Sequence, residues 1–183
     1  MGAQYLELPI FGNVELKSSN IPIPNWEYKH EAYLKAYAFG EIIIDVGVHF
    51  KELSDNYVDK VRQALSNIQK INEIATSAYV SDYHNGGEAG SYIQEWHEDI
   101  FEQIFSDDEF QAFLAHTDES MPIEERLLSL LRLVSIHIYA GVEERFIVMD
   151  YAFGYDFEKG FRDNMLVVKL DEKYEVLEIT SEG

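Results

Sequence analysis

Residues 42–50 read Ile42-Ile43-Ile44-Asp45-Val46-Gly47-Val48-His49-Phe50, and this stretch decides the fold class. Ile42, Ile44, Val46, Val48 and Phe50 share one parity, while Ile43, Asp45, Gly47 and His49 share the other. Successive side chains on a strand point to opposite faces, so the run predicts a strand with one apolar face and one mixed face. The apolar face must be buried against another layer. Upstream, Leu6, Leu8 and Ile10 alternate, and Val14 and Leu16 resume after a turn-like Gly12-Asn13 pair. Residues 17–27 hold two serines, two asparagines and two prolines and read as a loop. Tyr33 to Phe39 then meets Gly40-Glu41, a hairpin turn into the decisive strand.

The covering layer follows directly. Ser54 is placed to cap a helix, with Asp55 at its positive end. Val58, Val61, Leu65, Ile68, Ile71, Ala75 and Ala78 recur at three- and four-residue steps, which predicts one long helix. The pattern dissolves over residues 81–87, where Gly86-Gly87 marks a break. Tyr92, Ile93, Trp96, Ile100 and Ile104 line a second helix. Ser106-Asp107-Asp108-Glu109 is a capping box that opens a third, bearing Phe110, Phe113 and Leu114. Ser120 and Pro122 announce a fourth through Leu127 and Leu130.

The last fifty residues return to strands. Val134, Ile136 and Ile138 alternate before Gly141, and a second run covers Phe146 to Tyr151. A third, Met165 to Leu170, turns at Asp171-Glu172-Lys173 into a fourth, Tyr174 to Thr180. Short connections make these an antiparallel four-strand meander. The expected fold is a single α+β domain over residues 1–183. It has strands at about 5–50, helices at about 54–131 covering one sheet face, and strands at about 132–180.

Composition narrows the function classes. The chain has 183 residues, 46% of them hydrophobic, enough to bury roughly 70% of the unfolded surface. There is no cysteine, so a disulfide framework and thiolate zinc sites are excluded. Thirty-four Asp and Glu against 14 Lys and Arg give a formal charge of −20. Nonspecific nucleic-acid binding needs clustered cations and does not fit this balance. Met1 to Leu8 lacks the basic start and apolar run of an export signal, and Ile42-Ile43-Ile44 is broken at once by Asp45. A soluble cytoplasmic protein, off the membrane, is expected.

The charge is unevenly placed. No Lys or Arg occurs between Lys70 and Arg126, and residues 71–125 hold fourteen Asp and Glu, −14 of the total −20. A set of solvated helix faces is one reading. A docking surface for a basic protein is the other, because a one-signed field speeds association with partners of opposite sign. No Asp-x-Asp-x-Asp-Gly calcium loop is present.

Six histidines call for a metal check. His84, His97 and His116 fall in the acidic stretch, with no His-Glu-x-x-His spacing. His97 borders the apolar stripe of its helix, where a packed, hydrogen-bonded histidine is the ordinary outcome. His49 shares a strand face with Asp45, and His137 lies opposite Ile136 and Ile138. If these strands pair, Asp45, His49 and His137 approach one another, with Asp150 nearby, and such a group can bind a divalent metal. There is no Gly-x-Ser-x-Gly elbow and no phosphate loop. Gly86-Gly87-Glu88-Ala89-Gly90 reads as a linker between helices. Aromatics cluster at Trp26, Tyr28, Tyr33 and Tyr37 and again from Tyr151 through Phe153, Tyr155 and Phe157 to Phe161. The second group runs into a loop expected over Gly154 to Asn164, the kind of segment where binding often lives.

Several short motifs together resemble a known family. They are Leu8-Pro9-Ile10-Phe11-Gly12, the hairpin into a long helix, Asn85-Gly86-Gly87-Glu88 leading to Tyr92-Ile93 and His97, Asp150-Tyr151, and Leu166-Val167-Val168-Lys169-Leu170. The pattern is similar to the bacterial domain-of-unknown-function family numbered two thousand and four. The resemblance implies a compact prokaryotic α+β domain, in the company of small acidic immunity-type proteins, with no established activity and no accepted catalytic residues.

The expectation is therefore a non-enzymatic, acidic protein-binding module without a cofactor. Glu95, Glu98, Asp99, Glu102, Asp107, Asp108 and Glu109 would meet a basic protein, such as a toxin domain or a nucleic-acid-binding protein. The alternative is a metal-dependent hydrolase or metal-binding protein using His49, His137 and nearby carboxylates, or His97.

Overall fold

The structure, a computed structural model, describes residues 4–18, 29–39, 42–101, 105–142, 145–153 and 164–182. Among these residues eight strands form one sheet in chain order: β1 (Gln4–Leu8), β2 (Gly12–Ser18), β3 (His30–Phe39), β4 (Ile42–Phe50), β5 (Leu131–Ala140), β6 (Ile147–Phe153), β7 (Met165–Leu170) and β8 (Val176–Glu182). Between β4 and β5 run α1 (Asp55–Ser66), α2 (Ile68–His84), α3 (Glu88–Glu95), a π-helical turn (Trp96–Ile100), α4 (Asp107–Leu114) and α5 (Ile123–Leu130).

The fold class is α+β, with N-terminal hairpins and an antiparallel C-terminal meander β5–β8 as expected. The sheet is mostly antiparallel; β4 and β5 pair in parallel, Gly47 opposite His137 and His49 opposite Tyr139. The helical connection returns the chain to the end of the sheet from which β4 started, which is what a parallel neighbour requires.

The apolar parity of β4 faces the helices. Ile44, Val46, Val48 and Phe50 join one core with Ile136 and Ile138, Met149, Tyr151 and Phe153, and Leu166 and Val168. Val61, Leu65, Ile71, Tyr92, Ile93, Trp96 and Leu127 close it from the helical side. Burying a side chain of this size contributes about 1.5–3 kcal/mol.

Local departures from the sequence reading have local causes. The predicted long helix is two, because Asn67 ends α1 and its side-chain amide donates to the Gln63 carbonyl at 2.7 Å. The first hairpin turns at Pro9-Ile10-Phe11, one step before Gly12-Asn13, with Ile10 at φ 75° and Gly12 at φ 68°. On β5, Leu133 faces Tyr151 and Ser135 faces Asp150, so Val134 is an extra residue in the ladder. This bulge changes parity: Leu131 and Leu133 are buried with Ile136 and Ile138, while Val134 drops out of the apolar row. The Gly40-Glu41 turn, most of the 17–27 loop, Ile104 and residues 154–163 lie outside the described residues.

Candidate functional site

The mixed parity of β4 faces away from the helices. It starts at Ile43, 64% exposed, and ends at His49, 3% exposed. Strand pairing assembles a polar row around His49. Glu31 of β3 is its direct antiparallel neighbour, with Oε2 3.8 Å from His49 Nδ1. Tyr139 of β5 is its parallel neighbour, and the rings stack 4.7 Å apart at 11°. His49 Nε2 stands 3.4 Å from His137 Nδ1. His137 Nε2 is 3.9 Å from Asp150 Oδ2, and that same oxygen accepts a hydrogen bond from the Ser135 hydroxyl. The guanidinium of Arg145 lies over the Tyr139 ring, 4.7 Å from its centre.

Two backbone features make the row possible. The bulge at Val134 sets Ser135 directly opposite Asp150. Gly47 leaves the space over which the two imidazoles meet: a Cβ there would sit 2.5 Å from His137 Nδ1 and 3.0 Å from His49 Nε2.

Burial is the largest influence on the titration of His49, His137 and Asp150. Burial, then the neighbouring charges of His137 and Arg145, pull His49 down to about 4. His137 is also lowered, chiefly by burial, against the pull of Asp150 and Asp45. Burial raises Asp150, against the Ser135 hydrogen bond and the charge of His137. At neutral pH the two facing rings are uncharged imidazoles, each with an outer nitrogen near a carboxylate. Of the expected group, His49, His137 and Asp150 come together, and Asp45 sits opposite Ser135 across β4 and β5. Sequence reading missed Glu31, Tyr139 and Ser135, whose places depend on strand pairing. Gly47, a glycine inside a strand, was the visible signal of a close approach.

The acidic residues of the helical layer divide into two sorts. Several have structural work. Asp82 Oδ2 accepts the Ala89 N–H at 2.8 Å in the first turn of α3. Glu88 ties α3 to β8 by accepting from the Ser181 hydroxyl and N–H. Asp118 accepts from the Ser120 hydroxyl and N–H, which hold its carboxyl below the usual range. Glu124 lies 3.1 Å from His97 Nδ1. Glu109 accepts the Ser106 N–H and hydroxyl, both at 2.9 Å, at the start of α4.

The others face solvent. Glu95 and Glu98 are exposed on α3 and the π-helical turn, and Asp107 and Asp108 on the first turn of α4. Asp99 falls in the π-helical turn, and Glu102 lies outside the described residues. Among the described residues, Glu95, Glu98, Asp107 and Asp108 make no salt bridge; Glu98 accepts only from Gln94, at 3.0 Å. The two segments that carry them pack together through aromatic rings. Phe101 contacts Trp96, Phe110 and Phe113 at centroid distances of 5.2, 5.3 and 5.4 Å. His97 stacks on Phe110 at 6.4 Å.

A groove of about 450 Å³ opens elsewhere, between α2, α5 and the start of β5. Asn72, Tyr79, Leu128, Arg132 and Tyr151 are among its walls, and the Tyr151 hydroxyl donates to Asn72 Oδ1 at 2.8 Å. No helix among the described residues is long and apolar enough to cross a membrane. Set against protein-family models, curated proteins and solved structures, the chain matches none of them.

Proposed function

We propose that this protein is a non-enzymatic binding module whose acidic helical layer docks a basic protein. The observation that carries the reading is the run of fourteen carboxylates without a Lys or Arg across residues 71–125. Glu95, Glu98, Asp107 and Asp108 are exposed on two segments joined by aromatic packing. A field of one sign raises the encounter rate with a cationic surface and disfavours acidic competitors. Exposed carboxylates also lose little hydration before contact, so they act on association more than on residence time. Kinship with the bacterial family named above, and a cytoplasmic setting, belong to the same proposal. A toxin domain or a nucleic-acid-binding protein has the required basic chemistry.

The test is charge reversal. Glu95→Lys, Glu98→Lys, Asp107→Lys and Asp108→Lys are combined, and association with a basic partner protein is followed by stopped flow at rising salt. The reading expects a slower on-rate at low salt and a flatter salt dependence. An unchanged on-rate and salt slope would sink it.

A further inference from the structure

We propose that the groove between α2, α5 and the start of β5 binds an amphipathic small-molecule monocarboxylate, with its carboxylate on Arg132 and its apolar body lying toward Met121. The groove holds about 450 Å³, within the range of small-molecule sites. Its α2 wall runs from Asn72 to His84, about 18 Å of helix, so the space is elongated. Apolar side chains line much of that length: Val80 on α2, Leu128 on α5, and Leu131 and Leu133 on β5. Met121, 44% exposed, continues the apolar wall at the lip before α5.

The polar groups converge at the β-sheet end. Tyr151 is buried, and its hydroxyl is tied to Asn72 Oδ1 at 2.8 Å, which fixes the floor. The Tyr79 ring packs edge-on against it, with centroids 5.0 Å apart. Burial pushes the Tyr79 phenol up, so it is a protonated donor at neutral pH, and the positive charge of Arg132 acts on it.

Arg132 selects an anion. Its Nη1 donates to the Ser129 and Leu131 carbonyls at 2.7 and 3.0 Å, which holds the planar fork in place. Among the described residues Arg132 makes no salt bridge, although Glu125 lines the same groove and the chain holds 34 Asp and Glu. Its charge is thus not spent on a protein carboxylate, and a guanidinium fork matches a carboxylate with two parallel hydrogen bonds. The acidic layer opposes an anion from a distance, but physiological salt screens that field within about 8 Å, so direct contact decides. An ammonium ligand would set like charge against Arg132. None of Glu95, Glu98, Asp107 and Asp108 lines the groove, so the site is independent of the proposed docking surface.

The experiment titrates the full chain by calorimetry with octanoate, 1-octanol and octylammonium, which share one apolar body and differ in the head group. The expected result is one octanoate per chain, bound at least about tenfold more tightly than either of the others. Arg132→Gln should weaken octanoate about tenfold and leave 1-octanol unchanged. Met121→Glu sets a charge against the apolar body and should weaken both. Both positions are exposed, so the core is left intact, and circular dichroism checks the fold. Absence of octanoate binding by the wild type overturns the proposal. Equal affinity for octanoate and 1-octanol also overturns it, because the groove would then be a plain apolar surface. A preference for octylammonium overturns it too and would assign the groove to cations read by Glu125. So does octanoate affinity retained in either folded variant.

Discussion

Acidification should expose the burial of His49 as a loss of stability. The ring is pulled from its ordinary 6.5 to about 4 in the folded chain, mainly by burial. Between those values the unfolded chain holds a proton that the folded chain refuses, so lowering the pH favours unfolding. The contribution is complete above the unfolded value and shrinks as pH falls through the folded one. The full shift corresponds to about 3 kcal/mol, of which about 2 kcal/mol is lost between pH 7 and pH 5. Other groups titrate over the same range, and relief of repulsion among excess carboxylates acts in the opposite direction. The informative quantity is therefore a difference. His49→Phe keeps a ring against Tyr139 and removes the proton site. Urea unfolding of wild type and variant, with chelator present, should show the wild type losing about 2 kcal/mol more than the variant from pH 7 to pH 5. Parallel profiles, or a variant that loses more, would refute the burial argument.

Other outcomes follow from single contacts. Gly47→Ala places a Cβ 2.5 Å from His137 Nδ1, so the imidazole must move; thermal unfolding should register a loss of about 1–3 kcal/mol. Ser106→Ala removes one of the two hydrogen bonds to Glu109 at the start of α4 and should cost about 1 kcal/mol by urea denaturation, with Glu109→Gln costing less. Trp96→Ala empties a fully buried position between Tyr92, Phe101 and Phe153 and should cost about 3–5 kcal/mol, read as a lower midpoint in the same assay.

How much of this was legible in the sequence depends on the range of the interaction. The parity of residues 42–50 is a property of one strand, and it predicts both the helix-packed face and the mixed face. The capping box at Ser106 is equally local. The split at Asn67 is hidden because Leu65, Ile68 and Ile71 keep helical spacing through a side chain that competes for the backbone. The bulge at Val134 is hidden because an extra residue leaves composition intact while reversing parity. Neither the parallel pairing of β4 with β5 nor the opposition of Ser135 and Asp150 has a signature in either segment alone. For that reason Asp45, His49 and His137 could be put on the right faces from sequence, but their meeting, and that of Asp150 with them, depended on pairing across residues far apart in the chain. The acidic run was plain to read. Its division into carboxylates that cap and tie elements and carboxylates that face solvent came only with the packed helices.

The most direct test of the docking account is capture from a native lysate by the immobilised wild-type chain and by the four-residue Lys variant, at low and high salt, read by mass spectrometry. The account predicts a basic protein recovered in stoichiometric amount by the wild type at low salt, lost at high salt, and not recovered by the variant. Equal recovery by both chains, or a partner that resists salt, would contradict it.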